Sequence, residues 1–277
     1  MSGRVLNIAG YRFVDLNDRD ELRDPFMNMC TVLELKGTIL LSPNGINFVL
    51  AGSEESVSEF IQYLESDKRF SGIPINFSRT DYQPFRRMLV KRKNEIISLG
   101  KSEIKPSEFT GPYIKPIEFK RLLDGEEDIL VLDTRNDYET RIGSFEGSLE
   151  LGISTFRDFP NAIESIPEEY KSKTVVMYCT GGIRCEKASA VMINAGFEDV
   201  KQLEGGILGY FDECGGPYWD GDCFVFDQRV AVDSDLAETD IQMCFKCREP
   251  LSLEEQKSEK YVIGEHCPYC AEISKVV

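Results

Sequence analysis

Histidine is almost absent from this 277-residue sequence, which contains only His266. A histidine-rich metal centre is therefore nearly excluded, and a Cys–His catalytic pair would have to use this one residue. No apolar run approaches the roughly 18 residues that a membrane-spanning helix needs, and residues 1–10 lack the apolar core of a signal peptide. We therefore expect a cytoplasmic protein with no membrane partner.

Positive charge is also scarce, because 32 lysines and arginines stand against 48 aspartates and glutamates, a net charge of −16. Such a balance argues against binding nucleic acid over the whole surface. Residues 79–93, here called the basic segment, are the exception, since their cations face a single carboxylate, Asp81. Tyr82 and Phe85 lie among these cations and would permit base stacking. The segment is either an RNA-binding surface or a solvated strand edge, and its cations are Arg79, Arg86, Arg87, Lys91, Arg92 and Lys93.

The rest of the composition is that of an ordinary globular chain, with 42% hydrophobic and 29% charged residues, and the length predicts two or three domains. Residues 1–98 show the order βαββαβ, which is typical of a ferredoxin-like domain. Turn-forming residues at 42–45 predict a hairpin, and a further strand pair is expected near residues 73–77 and 87–92. The basic segment lies in this domain, with both interpretations of that segment still open.

The remaining chain divides into two different parts. Residues 100–116 carry the prolines and glycines of a linker. Over residues 113–212, apolar strands alternate with helical stretches, which predicts an α/β domain with a parallel sheet flanked by helices. Residues 213–277 show little periodicity and carry six of the nine cysteines, so we expect a small cysteine-rich C-terminal segment.

The most informative stretch is the loop that follows the apolar strand at residues 174–178. Its glycines let successive backbone N–H groups point towards one cysteine sulfur, and the helix that follows adds positive potential. With an arginine at the loop's end, this environment predicts a thiolate nucleophile that needs no histidine. A buried structural cysteine is the alternative. The predicted catalytic residues are Cys179 and Arg184, and the anion or persulfide cradle comprises Thr180, Gly181, Gly182 and Ile183.

The size of this loop bears on its chemistry. Four residues separate Cys179 from Arg184, one fewer than in phosphatase loops, and the smaller loop suits a persulfide sulfur better than a phosphoryl group. The next residue, Cys185, is a candidate resolving thiol for an oxidised or persulfidated Cys179, and a small residue packed on the helix is the alternative. Asp133 and Arg135 are expected to hold the scaffold of the loop by an ion pair or by backbone hydrogen bonds.

Two C-x-x-C pairs near the end of the chain are separated by nineteen residues. This spacing falls within the two-knuckle zinc pattern, and cysteines in a chain without a signal peptide favour metal ligation or thiol chemistry over disulfides. A structural zinc is therefore expected, with a disulfide pair or an empty site as alternatives. The four ligands would be Cys244, Cys247, Cys267 and Cys270, which leave no open coordination position for catalysis.

These motifs resemble known families in their order and spacing. The cysteine loop, the stretch Leu132-Asp133-Thr134-Arg135 and the stretch Leu203-Glu204-Gly205-Gly206 resemble a rhodanese domain. Together with residues 42–47 and 223–230, nearly the whole chain resembles the bacterial rhodanese-type tRNA uridine hydroxylases, which make 5-hydroxyuridine at the wobble position with molecular oxygen. Ser144 stands where many rhodaneses have a histidine, a difference that we expect to be structurally neutral.

The resemblance implies a tRNA-modifying enzyme in which Cys179 is essential, oxygen is the co-substrate and the first domain grips the anticodon arm. The sequence contains no flavin or nicotinamide fingerprint and cannot supply a two-histidine iron site, so the means of oxygen activation is not implied. The alternative is a sulfurtransferase that passes sulfur from thiosulfate or a donor protein through a Cys179 persulfide. That activity would need neither the basic segment nor oxygen. A non-catalytic adaptor is disfavoured by the intact cysteine.

Overall fold

The structure is a computed structural model that describes residues 4–271. Residues 1–3 and 272–277, the outer ends of the first and third predicted domains, lie outside the described residues. The first domain contains strands β1 (Val5–Phe13), β2 (Lys36–Ser42), β3 (Gly45–Gly52), β4 (Ile75–Thr80) and β5 (Met88–Arg92), with helices α1 (Arg19–Val32) and α2 (Glu54–Glu65).

The five strands of the first domain form one sheet in the order β4-β1-β3-β2-β5, in which β5 runs parallel to β2 and the other neighbours are antiparallel. Both helices cover one face, where strand residues such as Leu6 and Phe48 pack with Phe26 and Phe60. The predicted βαββαβ order is confirmed, and β5 follows it as the strand expected near residues 87–92.

Strands β4 and β5 confirm the two strands expected near residues 73–77 and 87–92, but the two do not pair with each other, because they form opposite edges of the sheet. Residues 81–87 connect them along one end of the sheet. The connection is long enough, since four inter-strand spacings of about 4.8 Å need about 20 Å of extended chain. As a result, the basic segment extends from one edge of the sheet to the other.

The second domain is an α/β domain. Its elements are β6 (Tyr113–Ile114), α3 (Pro116–Asp124), β7 (Ile129–Asp133), α4 (Asp137–Thr140), β8 (Gly143–Phe145), β9 (Leu149–Glu150), α5 (Phe159–Ala162), β10 (Thr174–Tyr178), α6 (Ile183–Asn194), β11 (Asp199–Leu203) and α7 (Gly206–Cys214). The sheet is parallel in the order β6-β11-β10-β7-β9. Helices α5 and α6 pack on one face, and α3 and α7 pack on the other. The predicted flanked parallel sheet is confirmed.

The C-terminal region has two parts. Strand β12 (Trp219–Gly221) pairs with β8, and the hairpin of β13 (Cys223–Phe224) and β14 (Ala231–Val232) packs into the core of the second domain. Strands β15 (Gln242–Met243) and β16 (Pro250–Leu251) and helix α8 (Leu253–Gln256) form a small unit beside the four C-terminal cysteines. Among residues 4–271, no helix combines the length and the apolar character that a membrane crossing requires.

The face of the first sheet that carries no helix packs against the second domain. Tyr11 in β1 donates a hydrogen bond from its hydroxyl to Glu186 in α6, at 3.0 Å. The ammonium of the buried Lys187 pairs with Glu95 at 2.6 Å and lies 5.9 Å from the centre of the Phe13 ring. Because α6 begins at the cysteine loop, these contacts place the first domain next to that loop.

Candidate functional site

The predicted nucleophile lies in a tight loop between β10 and α6. Cys179 directly follows β10, and α6 begins at Ile183 after Gly182, which has a φ of +92°. A Cβ atom at Gly182 would lie 3.0 Å from the Tyr11 hydroxyl oxygen. Both the positive φ and the approach of the first domain therefore require glycine at this position.

The Cys179 sulfur is surrounded by hydrogen-bond donors. The Gly182 N–H donates to it at 3.1 Å, and the backbone N–H groups of Arg184 and Cys185 in the first turn of α6 help to lower its pKa. Burial alone would raise the pKa of the Cys179 thiol. The hydrogen bond from the Cys185 side chain, the charge of Arg184 and the backbone donors outweigh burial and lower the pKa to about 6. The group is therefore mostly a thiolate at neutral pH, as a nucleophile requires.

Arg184 is shared between this sulfur and a buried carboxylate. Its guanidinium forms a two-pronged ion pair with Glu139 in α4, with N–O distances of 2.5 and 2.8 Å, and its positive charge lowers the pKa of Cys179. Burial would raise the pKa of the Glu139 carboxyl, but the charge of Arg184 lowers it, so Glu139 is ionised. The pair fixes the guanidinium beside the sulfur.

Sequence reasoning missed Glu139. Nothing in the spacing of the sequence indicated that the short helix α4 would turn this carboxylate inward. Glu139 also lies 3.3 Å from the Thr180 hydroxyl, so it contacts the loop at two points. Tyr11 and Asn76 were missed for a different reason: they belong to the first domain, and only the docking of that domain places them beside Gly182 and Gly181.

Cys185 lies next to the nucleophile. Its thiol lies 3.7 Å from the Thr134 hydroxyl oxygen, and its interaction with the Cys179 sulfur lowers the pKa of Cys179. Burial and the neighbouring Cys179 raise the pKa of Cys185 well above its ordinary value, so this thiol stays protonated and acts as the donor. Its position is compatible with both roles considered from the sequence, resolution of a modified Cys179 and packing on the helix.

The scaffold of the loop is a buried ion pair, as expected. Arg135 and Asp133 are both buried and pair at 2.6 Å, and Arg135 also donates to the Gly143 carbonyl at 2.6 Å. The guanidinium carbon lies 5.2 Å from the centre of the Trp219 ring. These contacts connect the end of β7 with β8 and with the C-terminal region.

The β13–β14 hairpin reaches the same site from the C-terminal region. Thr180 lies 3.4 Å from the Phe224 carbonyl. At the tip of the hairpin, Arg229 pairs with Asp227 at 2.5 Å and donates to the Ser78 hydroxyl of β4 at 2.8 Å. The neighbouring Phe226 is 57% exposed. Three separate parts of the chain therefore meet at the cysteine loop.

The cations of the basic segment do not form a single cluster. Arg79 in β4 pairs with Glu54 at 2.8 Å, whereas Arg92 in β5, at the opposite edge of the sheet, pairs with Asp20 at 3.1 Å. Exposed ion pairs of this kind contribute little, so both arginines can exchange their partners for another anion.

The centre of the basic segment lies closer to the hairpin. Arg86 and Arg87 are exposed in the connection between β4 and β5. They follow Pro84, whose carbonyl accepts a hydrogen bond from the Gln228 N–H in the hairpin tip at 3.2 Å. Beyond them, Lys91 in β5 and Lys93 just after it are also exposed.

The four C-terminal cysteines converge. Their sulfur atoms all lie within 4.8 Å of one another, and three of the separations are 3.4, 3.8 and 3.9 Å. A tetrahedral zinc with Zn–S bonds of about 2.3 Å needs sulfur atoms about 3.8 Å apart. The residues therefore fit a metal ion such as zinc. His266 is not part of the cluster, and its Nδ1 lies 2.9 Å from the Lys260 carbonyl. The ligand set is Cys244, Cys247, Cys267 and Cys270.

Comparisons with known proteins agree with this architecture. Residues 5–96 match the UPF0176 acylphosphatase-like domain, and residues 115–213 match the rhodanese-like domain. A protein of Cupriavidus pinatubonensis is 47% identical over 96% of this chain and 96% of its own. Proteins of Ralstonia nicotianae and Cupriavidus metallidurans are 45% and 44% identical, each over 97% of both chains. All three relatives bear the name tRNA uridine(34) hydroxylase.

Proposed function

We propose, because this chain belongs to the tRNA uridine(34) hydroxylase family, that the protein is an enzyme that converts the wobble uridine of tRNA to 5-hydroxyuridine. The observation that carries the proposal is the 47% identity with a relative of that name over 96% of both chains. The family expected from the sequence is thereby confirmed. Molecular oxygen is the proposed co-substrate, and the cytoplasm is the proposed location.

We assign the chemistry to the Cys179 loop. Backbone N–H groups and a guanidinium around one sulfur are suited to hold negative charge, either on the thiolate or on the outer sulfur of a persulfide. Glu139 is a positioning residue, because it touches Arg184 rather than the sulfur. The proposed catalytic residues are Cys179 and Arg184, and the proposed cradle is Thr180, Gly181, Gly182 and Ile183.

Cys185 is the proposed resolving thiol. When Cys179 carries a persulfide, a Cys185 thiolate can attack the Cys179 sulfur, form a disulfide between the two residues and release the outer sulfur as hydrosulfide. The Cys185 proton must leave first, and its raised pKa keeps that proton in place at the unmodified site. If Cys185 has no resolving role, Cys185→Ala will lower turnover no more than it lowers the alkylation rate of Cys179.

The proposed tRNA path runs along the first domain and crosses to the second. Arg86 and Arg87 lie in the connection that meets the hairpin tip, and Lys93 lines a cleft of about 510 Å³ between the domains together with Arg157. Phosphates of the anticodon arm are the proposed ligands, and the acidic remainder of the surface would repel other RNA. The proposed tRNA-binding residues are Arg79, Arg86, Arg87, Lys91, Arg92 and Lys93.

Each of the three domains has its own proposed role. We propose that residues 1–98 bind tRNA, that residues 113–212 carry the chemistry and that residues 213–277 hold a structural zinc. A zinc ion in a Cys₄ site supplies folding energy and has no open coordination position. The thiolates of Cys244, Cys247, Cys267 and Cys270 would hold it.

The experiment that tests the main proposal uses purified protein and tRNA that lacks the modification. Nucleoside digestion and mass spectrometry should detect 5-hydroxyuridine that depends on protein and on oxygen. The rhodanese-like loop favours one second candidate, a sulfurtransferase that works through the same Cys179 persulfide, with thiosulfate or a donor protein as the sulfur source. Rapid sulfur transfer from thiosulfate to cyanide, with no 5-hydroxyuridine formed, would establish that candidate instead.

The proposed tRNA surface has its own test. Reversing the charges of Arg86 and Arg87 should weaken tRNA binding about tenfold and flatten its salt dependence, because two phosphate contacts are lost. The same change at Arg23 and Lys68, on the helical side of the first domain, is the matched control. Equal effects of the two double variants in a binding titration would place the tRNA elsewhere.

A further inference from the structure

Phe226 is a large apolar side chain that the fold leaves in water beside the cysteine loop. Its ring is 57% exposed, and the Arg184 guanidinium carbon lies 6.0 Å from the ring centre. The same guanidinium donates to the hydroxyl of Thr180, the residue after Cys179, at 3.4 Å. Arg184 thus joins the exposed ring to the loop that holds the proposed nucleophile, so a molecule that lies on the ring is next to that loop.

The chain holds this exposed ring in a fixed position. Phe226 packs edge-on against Phe224, with ring centres 5.1 Å apart, and Phe224 packs edge-on against Tyr138 at 5.3 Å. On the other side, Arg229 pairs with Asp227 within the hairpin tip and donates a hydrogen bond to Ser78 of the first domain. A ring that is already positioned loses little conformational entropy when a ligand binds, which strengthens the contact.

The surroundings of the ring match an RNA base better than an apolar protein partner. Arg184 lies over the ring, and the exposed Arg86 and Arg87 follow Pro84, which hydrogen-bonds the hairpin tip. An aromatic ring beside cations that can take phosphates is the arrangement by which proteins hold unpaired bases. A purely apolar partner would offer no phosphate to the exposed guanidinium groups of Arg86 and Arg87.

We propose that Phe226 stacks on the uracil base that reacts at Cys179 and so positions this base at the loop. The inference rests on the proposed function for the identity of the base. The proposal gives the hairpin tip a substrate-binding role. The tip lies outside residues 115–213, the part of the chain that matches the rhodanese-like domain. The predicted contact is with the base and not with the RNA backbone.

The test compares two anticodon stem–loops, one with uridine at the reacting position and one with an abasic site there. Phe226→Ala and Phe226→Leu should bind the uridine RNA about tenfold more weakly than the unaltered protein, whereas Phe226→Trp should bind it normally, because stacking needs an aromatic face. None of the three variants should change binding of the abasic RNA. Phe245→Ala, at a 67% exposed ring in the C-terminal unit, is the matched control and should change neither.

A second measurement distinguishes the loss of base stacking from a disturbance of the cysteine loop. The rate at which iodoacetamide alkylates Cys179 should be unchanged in Phe226→Leu if the loop is intact. Normal binding by Phe226→Leu, or equal losses on the uridine and abasic RNAs, would overturn the proposal. If the unaltered protein forms no 5-hydroxyuridine but the uridine-specific loss is observed, the hydroxylation proposal fails and the stacking proposal stands.

Discussion

The two cysteine sites of this chain use the same functional group in opposite ways. At the loop, one sulfur, Cys179, is buried among backbone donors and beside Arg184, so that its negative charge is stabilised by the protein itself. At the C-terminal unit, four sulfur atoms face one another at separations as short as 3.4 Å. Four thiolates at that distance repel one another unless a cation lies between them.

The difference shows that the environment of a thiol, and not its burial, separates reactive from structural cysteines. Both sites are largely buried, yet the loop surrounds one anion with positive groups, whereas the C-terminal unit brings together four thiols that fit a metal ion. The sequence signals differ accordingly: glycines and an arginine follow Cys179, and C-x-x-C pairs form the second site. Four predictions can break or sharpen this contrast.

The largest effect is expected from Cys179→Ser. Removal of the proposed nucleophile should reduce 5-hydroxyuridine formation at least about a thousandfold, because serine is not ionised at neutral pH. Cys214→Ser, at a half-buried thiol outside both sites, is the control and should retain activity. Mass spectrometry of tRNA digests measures both. An active Cys179→Ser protein would remove the loop from the reaction.

The second prediction concerns metal removal. A strong chelator, or Cys267→Ser, should release zinc and unfold the C-terminal unit, since structural zinc contributes about 10 kcal/mol or more in small zinc-binding folds. Limited proteolysis should then cut residues 240–271 while the second domain resists. Alkylation of Cys179 should be unchanged, because the loop needs no metal. If protein purified without metal resists the protease as well as protein supplied with zinc, the four cysteines do not need a metal.

The third prediction tests whether Glu139 is needed to hold the Arg184 guanidinium at the loop. Glu139→Gln leaves the buried Arg184 charge without a counter-ion, which should destabilise the protein by about 3–5 kcal/mol in a denaturant titration. The unpaired guanidinium should also stabilise the thiolate more strongly, so the pKa of Cys179 should fall further. Glu249→Gln breaks a half-exposed pair with Arg141 and should cost within about 1 kcal/mol. Equal losses in the two variants would mean that Glu139 is not needed to hold Arg184.

Much of this architecture could be predicted from the sequence, because the relevant signals are local. The two α/β arrangements follow from the periodicity of the strands and helices, and the loop around Cys179 follows from Gly182 and the helix after it. The C-x-x-C spacing likewise predicts the convergence of four sulfur atoms. In each case, neighbouring residues determine the structure.

What could not be predicted depends on contacts between distant segments. The ion pair of Arg184 with Glu139 spans 45 positions, and the hydrogen bond of Tyr11 with Glu186 spans 175. The arrangement of the basic segment could not be predicted for the same reason. Its charges are adjacent in sequence and suggest one cluster, but its strands occupy opposite edges of the sheet. No periodicity or motif encodes the docking of the first domain on the loop.

The smallest effect is expected from the donor next to the nucleophile. The alkylation rate of Cys179 should rise with pH through about 6 and then level off, because only the deprotonated form reacts. Cys185→Ala removes a hydrogen bond that favours the thiolate, so the pKa of Cys179 should rise and the rate at neutral pH should fall a few-fold, roughly tenfold for each pKa unit by which it exceeds the working pH. Cys30→Ala, a buried thiol in the first domain, is the matched control and should leave the profile unchanged. An unaltered profile in Cys185→Ala would show that the backbone N–H groups and Arg184 alone maintain the thiolate, which would make the loop still more distinct from the metal-dependent cysteine cluster.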